Sequence, residues 1–250
     1  DIGRLTFYRA TSSGKFSREV IEEIPGSISM EPYDFNKDGY DDIVVLFAQG
    51  DERIVIYYND GLGNFSADNT KIVARYPAVY GSMFIDIKDF NKDGHMDILY
   101  VCGDNFDYSM ILKPYHGIRI LENDGSNDFT QKYFFSIYGA AKAEVNDYDG
   151  DGDLDMMVAA NFADMNNNPE RGIMYFECNG VYNYTPYSFS AASDNQWNTI
   201  TSGDFDMDGD LDILVGAMYL QNVLTIQKVN NAEDIEKKRA SILLFENTLK

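Results

Sequence analysis

The hexapeptide DFNKDG occurs twice in the chain, at residues 34–39 and again at 89–94. It opens two longer acidic stretches, DFNKDGYDDI and DFNKDGHMDI, and two relatives follow, DYDGDGDLDM at 147–156 and DFDMDGDLDI at 204–213. The four stretches begin 55, 58 and 57 residues apart. Self-similarity at so regular a spacing indicates a protein built from repeated structural units.

Each repeat has the same order of short apolar segments around its acidic stretch. In the second repeat an alternating segment, 82–90, leads into the acidic stretch, and an apolar segment, 97–103, follows it at once. A third segment, 117–123, runs into Asn-Asp-Gly, which suits a tight turn before a fourth segment. Because these segments are rich in β-branched and aromatic residues, they are predicted to be strands. Four antiparallel strands in such a unit are typical of a β-propeller blade.

The predicted fold class is therefore all-β, a β-propeller of four-stranded blades forming a single domain or segment over 1–250. The predicted boundaries are a partial blade at 1–25, blades at 26–75, 79–136 and 138–190, and a blade lacking its last strand at 197–250. An open propeller would leave unprotected sheet edges, so we expect these roughly four and a half blades to belong to a larger propeller. The chain opens on Asp1 with no basic start and apolar stretch, which predicts a removed leader or a piece of a longer chain.

The acidic residues are concentrated in the repeats. The formal net charge is −21, and positions 1, 3, 5 and 9 of the four stretches carry −14 of it. Charge this dense repels itself in a compact state unless cations occupy it. The same excess of acid argues against nucleic-acid binding and against an anionic membrane surface, which need clustered Lys and Arg. No apolar run approaches the roughly 18–20 residues that span a bilayer, so we expect no direct membrane insertion.

The pattern D-x-[DN]-x-D-G-x-x-D predicts a calcium-binding loop in each repeat. Ca²⁺ takes six to eight oxygens at about 2.3–2.6 Å, which alternating side chains on a tightly curled loop can supply. Glycine at the sixth position permits the sharp turn, the seventh residue offers its backbone carbonyl, and the ninth is a closing Asp. The predicted metal ligands, for up to four Ca²⁺, are Asp34, Asn36, Asp38, Tyr40 and Asp42; Asp89, Asn91, Asp93, His95 and Asp97; Asp147, Asp149, Asp151, Asp153 and Asp155; and Asp204, Asp206, Asp208, Asp210 and Asp212.

An EF-hand loop is excluded by the residues that follow. It needs Glu at the twelfth position and a helix on either side, whereas the twelfth residues here are Val45, Tyr100, Val158 and Val215, inside predicted strands. Solvated acidic turns without an ion are the other alternative, because Asp, Asn and Gly favour turns. Four copies in register, each with Asp at positions 1, 5 and 9 and Gly at 6, favour calcium loops.

The core D-x-[DN]-x-D-G-x-x-D-[IM] resembles the FG-GAP/VCBS family, the calcium-loop propellers of integrin α-subunit heads and of many secreted proteins. The resemblance covers essentially the whole chain. It implies a seven- or eight-bladed propeller in which each calcium loop joins the first and second strands of a blade. It does not imply one function, because members include integrin ligand-binding heads, lectins, polysaccharide lyases and structural surface proteins.

Strand parity places the calcium loops and the Asn-Asp-Gly turns at one end of the blades and the second-to-third-strand connections at the other. Three of those connections are long, 103–116, 160–171 and 218–240. Long loops on a rigid scaffold are the usual place for a partner to bind. The alternative is that they only pack on neighbouring blades or chains.

Two features of the long connections have two interpretations each. Phe106, Tyr108 and Tyr115 can stack on a sugar ring or pack between blades. Residues 231–240 suit a short helix with acid–base pairs four residues apart, as solvated surface or as a recognition element.

The sequence contains no G-x-S-x-G, H-E-x-x-H or Walker motif, and we expect no enzymatic activity. Of the two histidines, His95 lies in a predicted calcium loop and His116 ends a long connection. The alternatives are a hydrolase with a carboxylate pair, or a polysaccharide lyase that uses Lys113 or Arg171 near a metal-bound uronate.

Two residue pairs allow for covalent modification. Cys102 and Cys178 can form one disulfide or remain free thiols. Asn64 and Asn183 open the sequons NFS and NYT and are candidate glycosylation sites if the protein is secreted by a eukaryote.

These observations together predict a calcium-stabilised β-propeller, extracellular or at the cell surface, that acts as a binding, adhesion or assembly module. Calcium would be structural, since it binds the folded form. Open loops of this type need the calcium concentrations found outside cells. Three partner classes remain: a glycan, an extracellular protein, or further copies of the chain in a surface filament.

Overall fold

The computed structural model describes the chain in three ranges, 3–105, 110–218 and 241–248. Four predictions lie outside the described residues. They are the bulk of the third long connection (219–240), the helix within it (231–240), and the stacking roles of Phe106 and Tyr108.

The regular structure of the described residues is almost entirely β. Three short 3₁₀ helices cover Ala78–Tyr80, Pro169–Gly172 and Ser190–Asp194. The strands are β1 Leu5–Ala10, β2 Phe16–Glu22, β3 Ser27–Tyr33, β4 Asp42–Phe47, β5 Glu52–Tyr57, β6 Thr70–Tyr76, β7 Ser82–Lys88, β8 Asp97–Cys102, β9 Gly117–Asn123, β10 Phe129–Ser136, β11 Ala140–Asn146, β12 Asp155–Ala160, β13 Ile173–Cys178, β14 Tyr184–Ser188, β15 Trp197–Gly203, β16 Asp212–Ala217 and β17 Ile242–Phe245.

The strands form five sheets, each made of strands that follow one another in the chain. We number them in order: the first sheet is β1–β2, the second β3–β6, the third β7–β10, the fourth β11–β14 and the fifth β15–β17. The middle three are four-stranded meanders with antiparallel neighbours, which is the architecture of a propeller blade. The predicted fold class, all-β with four-stranded blades, is confirmed. In the described part of the chain no helix is both long and apolar enough to cross a membrane.

The chain divides into two compact units. The first comprises Asp1–Tyr100 and Arg119–Phe134, and the second comprises Val101–Ile118 and Phe135–Lys250. The first and second sheets therefore belong to the first unit, and the fourth and fifth sheets belong to the second.

The inner strands of the second sheet, β4 and β5, are buried on both faces. One face of these strands carries Val45, Phe47, Val55 and Tyr57, which pack against Leu5 of the first sheet. The other face carries Val44, Leu46, Ile54 and Ile56, and each of these four side chains is 0% exposed. Since alternate residues of a strand point to opposite faces, a strand buried on both sides must be apolar throughout. This explains the unbroken apolar runs of β4 and β5.

A tryptophan anchors the core of the second unit. Met157, Ala159 and Ile173 of the fourth sheet pack with Ile200, Ile213 and Val215 of the fifth around Trp197. Trp197 is 0% exposed, and its indole Nε1–H donates to the carbonyl of Ala192 at 2.9 Å. The largest side chain of this core thus has its polar atom satisfied, as a buried tryptophan requires.

Cys102 and Cys178 are both buried, and they do not form a disulfide. The thiol of Cys102 lies 3.5 Å from the carbonyl oxygen of Tyr115, and burial raises the pKa of the Cys178 thiol. The sequence left open one disulfide or two separate thiols. The structure has two separate thiols, and both residues serve as small packing groups.

Replacing Trp197 with alanine should lower the free energy of unfolding by about 3–5 kcal/mol, because a large buried side chain leaves a cavity. Urea unfolding followed by circular dichroism measures the effect. Val181→Ala is the matched control, since Val181 is 60% exposed in the turn after β13 and should change stability by less than about 0.5 kcal/mol. Equal effects of the two substitutions would contradict this account of the core.

Candidate metal centres

The first acidic loop joins β3 to β4 and is closed by hydrogen bonds that its own backbone N–H groups donate. Asp34 Oδ1 accepts the N–H of Asp38 at 3.0 Å, and Asp34 Oδ2 accepts the N–H of Gly39 at 2.8 Å. Asp38 Oδ1 in turn accepts the N–H of Tyr40 at 3.0 Å. Local bonds between Asp side chains and following N–H groups favour such turns. They curl the loop tightly.

The same closure recurs in the other three loops. Asp89, Asp147 and Asp204 accept the N–H of the sixth-position glycine at 2.8, 2.9 and 3.2 Å. All four glycines have positive φ, between 88° at Gly94 and 101° at Gly209. No atom lies within 4 Å of where their Cβ would be. Glycine is thus required by the backbone conformation and not by crowding.

Three carboxylates converge in the third loop and again in the fourth. Oxygens within 4.8 Å of one another come from Asp147, Asp149 and Asp151, and from Asp204, Asp206 and Asp208. These are the residues at positions 1, 3 and 5 of the predicted ligand pattern. A cluster of carboxylate oxygens is the hard donor set that Ca²⁺ takes. The residues present therefore fit a divalent cation.

The ionised form of the carboxylates in these clusters is disfavoured. Loss of hydration, together with the neighbouring charges of Asp151 and Asp147, raises the pKa of Asp149 above its ordinary value of 3.8. Loss of hydration and the charge of Asp208 raise the pKa of Asp206 in the same way. A bound divalent cation would remove this repulsion.

The first two loops are chemically different at position 3. Asn36 Nδ2 donates to Asp38 Oδ2 at 3.0 Å, and Asn91 Nδ2 donates to Asp93 Oδ2 at 2.8 Å. The Asn amide therefore occupies one oxygen of the fifth-position carboxylate. In the described residues, clusters of three carboxylates occur in the third and fourth loops but not in these two. The ligand sets of the first two loops stay predictions.

The seventh-position residues make contacts that the sequence did not predict. In the first unit, the ring of Tyr40 lies against Gly61 and the ring of His95 against Gly125, both glycines of Asn-Asp-Gly turns. A Cβ on Gly125 would come within 2.7 Å of His95 Nε2. These glycines thus provide room for the seventh-position ring as well as positive φ in the turn. The predicted role of the seventh carbonyls as ligands is untested by these contacts.

The ninth-position aspartates, predicted as closing ligands, are buried and tie two segments together. Asp42 is 0% exposed, its Oδ2 accepts the N–H of Phe35 at 3.0 Å, and its Oδ1 accepts the N–H of Asn59 at 2.8 Å. Phe35 is the second residue of the acidic loop, and Asn59 opens the turn between the third and fourth strands. One carboxylate therefore joins the loop to that turn, at the shared end of the sheet that strand parity predicts.

All four repeats contain this bridge. The corresponding acceptors and donors are Asp97 with Phe90 and Asn123, Asp155 with Tyr148 and Cys178, and Asp212 with Phe205 and Asn247, at 2.8–3.2 Å. Burial raises the pKa of Asp42 and of Asp155. A buried carboxylate is tolerated only when it is hydrogen-bonded, so the two N–H donors explain why it can lie there. Its role as a ligand stays a prediction.

A cavity of about 350 Å³ lies beside the third and fourth loops in the second unit. Its walls are mainly aromatic and aliphatic, and it is lined by Tyr148, Met157, Tyr175, Phe189, Leu211, Ile213, Phe245, Glu246 and Asn247. The Tyr175 hydroxyl donates to Asp155 Oδ2 at 2.9 Å, which links this wall to the third loop. No pattern in the sequence predicts the cavity, because its residues come from separate strands and loops.

The other predicted site residues are dispersed. Asn64 and Asn183 lie exposed in the turns after β5 and β13, so both sequons are accessible, and their glycosylation stays a prediction. Lys113, considered for a lyase, is buried at 4% exposure, and His116 is buried at 0%. Arg171, the other candidate, is exposed.

A comparison with protein-family models identifies the family of this chain. The model described as FG-GAP-like repeat matches residues 34–100 and 147–215, which is more than half of the chain. The chain belongs to the FG-GAP-like repeat family. Each matched FG-GAP range begins at the first aspartate of one acidic loop and continues into the strand after the next loop.

Comparisons with individual proteins are less informative than the family model. No curated protein matches this FG-GAP chain significantly. Among solved structures, the V. cholerae biofilm matrix protein Bap1 matches with 14% identity and a TM-score of 0.37. The match covers 87% of this chain and 38% of that one, so the FG-GAP chain spans well under half the length of that protein.

Replacing Asp42 with alanine should destabilise the protein by roughly 2–4 kcal/mol in metal-free buffer, because two buried N–H donors lose their acceptor. Chemical denaturation with a chelator present measures the hydrogen bonds separately from any ligand role. The neighbouring Asp41 is exposed, so Asp41→Ala should stay within about 0.5 kcal/mol of the parent. If Asp42→Ala were as stable as Asp41→Ala, the bridge would not hold the loop.

Proposed function

We propose that this FG-GAP-repeat protein is a calcium-stabilised extracellular module that acts through binding or assembly. The observation that carries the metal part is the convergence of three carboxylates in the third loop and in the fourth. The family relationship supports it, because the matched ranges contain all four acidic loops. The raised pKa values of Asp149 and Asp206 support it further, since carboxylates that lose hydration and lie beside other carboxylates favour a bound cation.

The ligands we propose in the two best-formed loops are those predicted from the pattern, with the carbonyls of Asp153 and Asp210 completing the carboxylates. Calcium would supply positive charge and hold the loop in its curled form. The buried Asp155 and Asp212 would transmit that order, because Asp155 joins its loop to the last residue of β13 and Asp212 joins its loop to Asn247, just after β17. Metal binding would thereby stabilise a whole sheet and not only a loop.

An extracellular location follows from the kind of site. Calcium sites of extracellular modules have dissociation constants of roughly 10⁻⁴–10⁻³ M, which cytosolic calcium does not fill. A net charge of −21 is also easier to accommodate where divalent cations are abundant.

Binding or assembly is favoured over catalysis by the positions of the few candidate bases. His95 lies in an acidic loop with its ring against Gly125, and His116 and Lys113 are buried. None of these is an accessible general base beside the clustered carboxylates. The partner classes that we propose are a glycan, an extracellular protein or further copies of the chain.

Calcium should raise the melting temperature of the full chain, because it binds the folded form. At a calcium concentration one hundred times the dissociation constant, each site contributes about 2.7 kcal/mol. Thermal unfolding in calcium, in magnesium and after chelation measures the effect, and magnesium should give a much smaller rise because it demands a stricter octahedral geometry. Identical melting curves in calcium and chelator would overturn the proposal.

A substitution in the fourth loop tests whether that loop contributes to the calcium-dependent rise in melting temperature. Asp206→Asn should lose part of the calcium-dependent rise and leave the melting temperature in chelator nearly unchanged, since Asp206 is exposed. Asp68→Asn removes an equal charge from an exposed position outside the loops and should keep the full rise.

A calcium-dependent partner should be detectable by screening the labelled chain against arrays of glycans and of extracellular proteins. We expect binding in calcium that chelation abolishes, because the loops hold the ends of the sheets. Binding that is unchanged by chelation would separate recognition from the metal sites. Turnover of any arrayed polysaccharide would replace the binding proposal with an enzymatic one.

A further inference from the structure

The second residue of the first acidic loop, Phe35, is held by hydrogen bonds on both of its sides. Its N–H donates to the buried Asp42, and its carbonyl oxygen accepts a hydrogen bond from Asn127 Nδ2 at 2.9 Å. Asn127 lies in the turn between β9 and β10 of the third sheet, and all three residues belong to the first unit. A residue of the next sheet therefore fixes the backbone of the first loop.

The same turn also holds the second acidic loop. Asn127 Oδ1 accepts a hydrogen bond from Asn123 Nδ2 at 3.2 Å, and the backbone N–H of Asn123 donates to Asp97 Oδ1 at 2.8 Å. Asp97 is the ninth residue of the second loop, and its other oxygen accepts the N–H of Phe90 at 3.2 Å. A continuous series of hydrogen-bonded groups thus connects the first loop to the second.

The groups in this series are buried. Asn123 is 3% exposed, Asn127 is 7% exposed and Asp97 is 0% exposed. A buried polar group that loses its partner is costly, because no water replaces the lost hydrogen bond. Hydrogen bonds in series also polarise and strengthen one another. A change in the conformation of one loop at these groups would therefore disturb the other loop.

The second unit contains a shorter form of the same link. Tyr148 is the second residue of the third loop, and its carbonyl oxygen accepts a hydrogen bond from Asn247 Nδ2 at 2.7 Å. The backbone N–H of Asn247 donates to Asp212 Oδ1, in the fourth loop, at 2.9 Å. One asparagine here makes the two contacts that Asn123 and Asn127 make together in the first unit. The link is therefore found in both units.

We propose that neighbouring acidic loops within a unit bind calcium cooperatively, and that Asn127 in the first unit and Asn247 in the second couple them. This inference rests on the calcium binding proposed above. A cation that orders one loop fixes its second residue and, through the asparagine, the ninth-position aspartate of the next loop. The second cation then meets a loop that has already lost part of its conformational freedom, and it binds more tightly. The coupling is reciprocal, because each site must change the affinity of the other by the same factor.

Charge alone predicts coupling of the opposite sign. The first divalent cation reduces the negative charge that attracts the second, and two cations repel each other. Charge would therefore make the second cation bind more weakly. At an ionic strength of about 0.15 M this repulsion is screened beyond about 8 Å. Tighter binding of the second cation thus distinguishes coupling through the hydrogen bonds from an effect of charge.

The test is a calcium titration of the full chain followed by nuclear magnetic resonance at this ionic strength. The amide resonances of Gly39 and Gly94 report the two loops separately, because each N–H donates to the first aspartate of its own loop. Asp38→Asn removes a predicted ligand of the first loop and should raise the calcium concentration for half saturation at Gly94 at least about fivefold. Asp93→Asn should raise the half-saturation concentration at Gly39 by the same factor.

Asn127→Gly tests whether this residue couples the loops. Asn127 has a φ of 61°, and Gly63 has a φ of 79° at the corresponding position of the turn after β5. Glycine should therefore keep the shape of the turn and remove only the amide. In Asn127→Gly, the further change Asp38→Asn should no longer alter half saturation at Gly94. Ser126→Ala is the matched control, since Ser126 is exposed in the same turn, and it should keep the full coupling.

The second unit provides an independent test. Asp208→Asn should raise the half-saturation concentration at Gly152, whose N–H donates to the first aspartate of the third loop. Asn247→Ala should abolish that rise. Circular dichroism melting in chelator confirms that each variant folds, and this pair of loops decides the question if Asn127→Gly does not fold.

The outcomes separate this inference from the calcium proposal. Half saturation at Gly94 that is unchanged or lowered by Asp38→Asn would overturn the inference and leave calcium binding intact. A rise that persists in Asn127→Gly would overturn the role of Asn127. If none of the loop glycines responded to calcium, the calcium proposal itself would fail, and this inference with it.

Discussion

A buried aspartate at the ninth position of every acidic loop is the interaction on which the rest of each repeat depends. Its two oxygens accept one N–H from the loop and one from the last residue of the third strand or a residue shortly after it, and this occurs four times. A carboxylate without water must have such donors, so the loop and the turn are held in one arrangement relative to the strand that carries it. A metal ion bound by the loop, as we propose, would then stabilise an end of the sheet that these hydrogen bonds already organise.

The four loops share this frame but differ in how much negative charge they bring together. The third and fourth loops place three carboxylates within 4.8 Å, whereas Asn36 and Asn91 replace the middle one in the first two. An amide that donates to its neighbour reduces the repulsion in those loops. In these two loops of the second unit, loss of hydration and the neighbouring carboxylates raise the pKa values of Asp149 and Asp206.

The alternation of residues along each strand explains which faces of a sheet are buried. The inner strands of the second sheet, β4 and β5, are apolar and buried on both faces. The first and fifth sheets have the same alternation of residues, but each leaves one apolar face exposed among the described residues. The residues on these faces match those buried between sheets elsewhere.

The sequence by itself determined the repeat, the strands and the acidic loops, because their signals are local: alternation within β7, turn residues at Asn-Asp-Gly, and glycine where φ is positive. The all-β fold and the family could be predicted from these alone. Only the tertiary structure decided that Asp42 is buried between two N–H donors, that Trp197 anchors a core, and that Cys102 and Cys178 are separate. These features depend on backbone donors and on packing between segments distant in the chain, and neither leaves a pattern of residue types along the sequence.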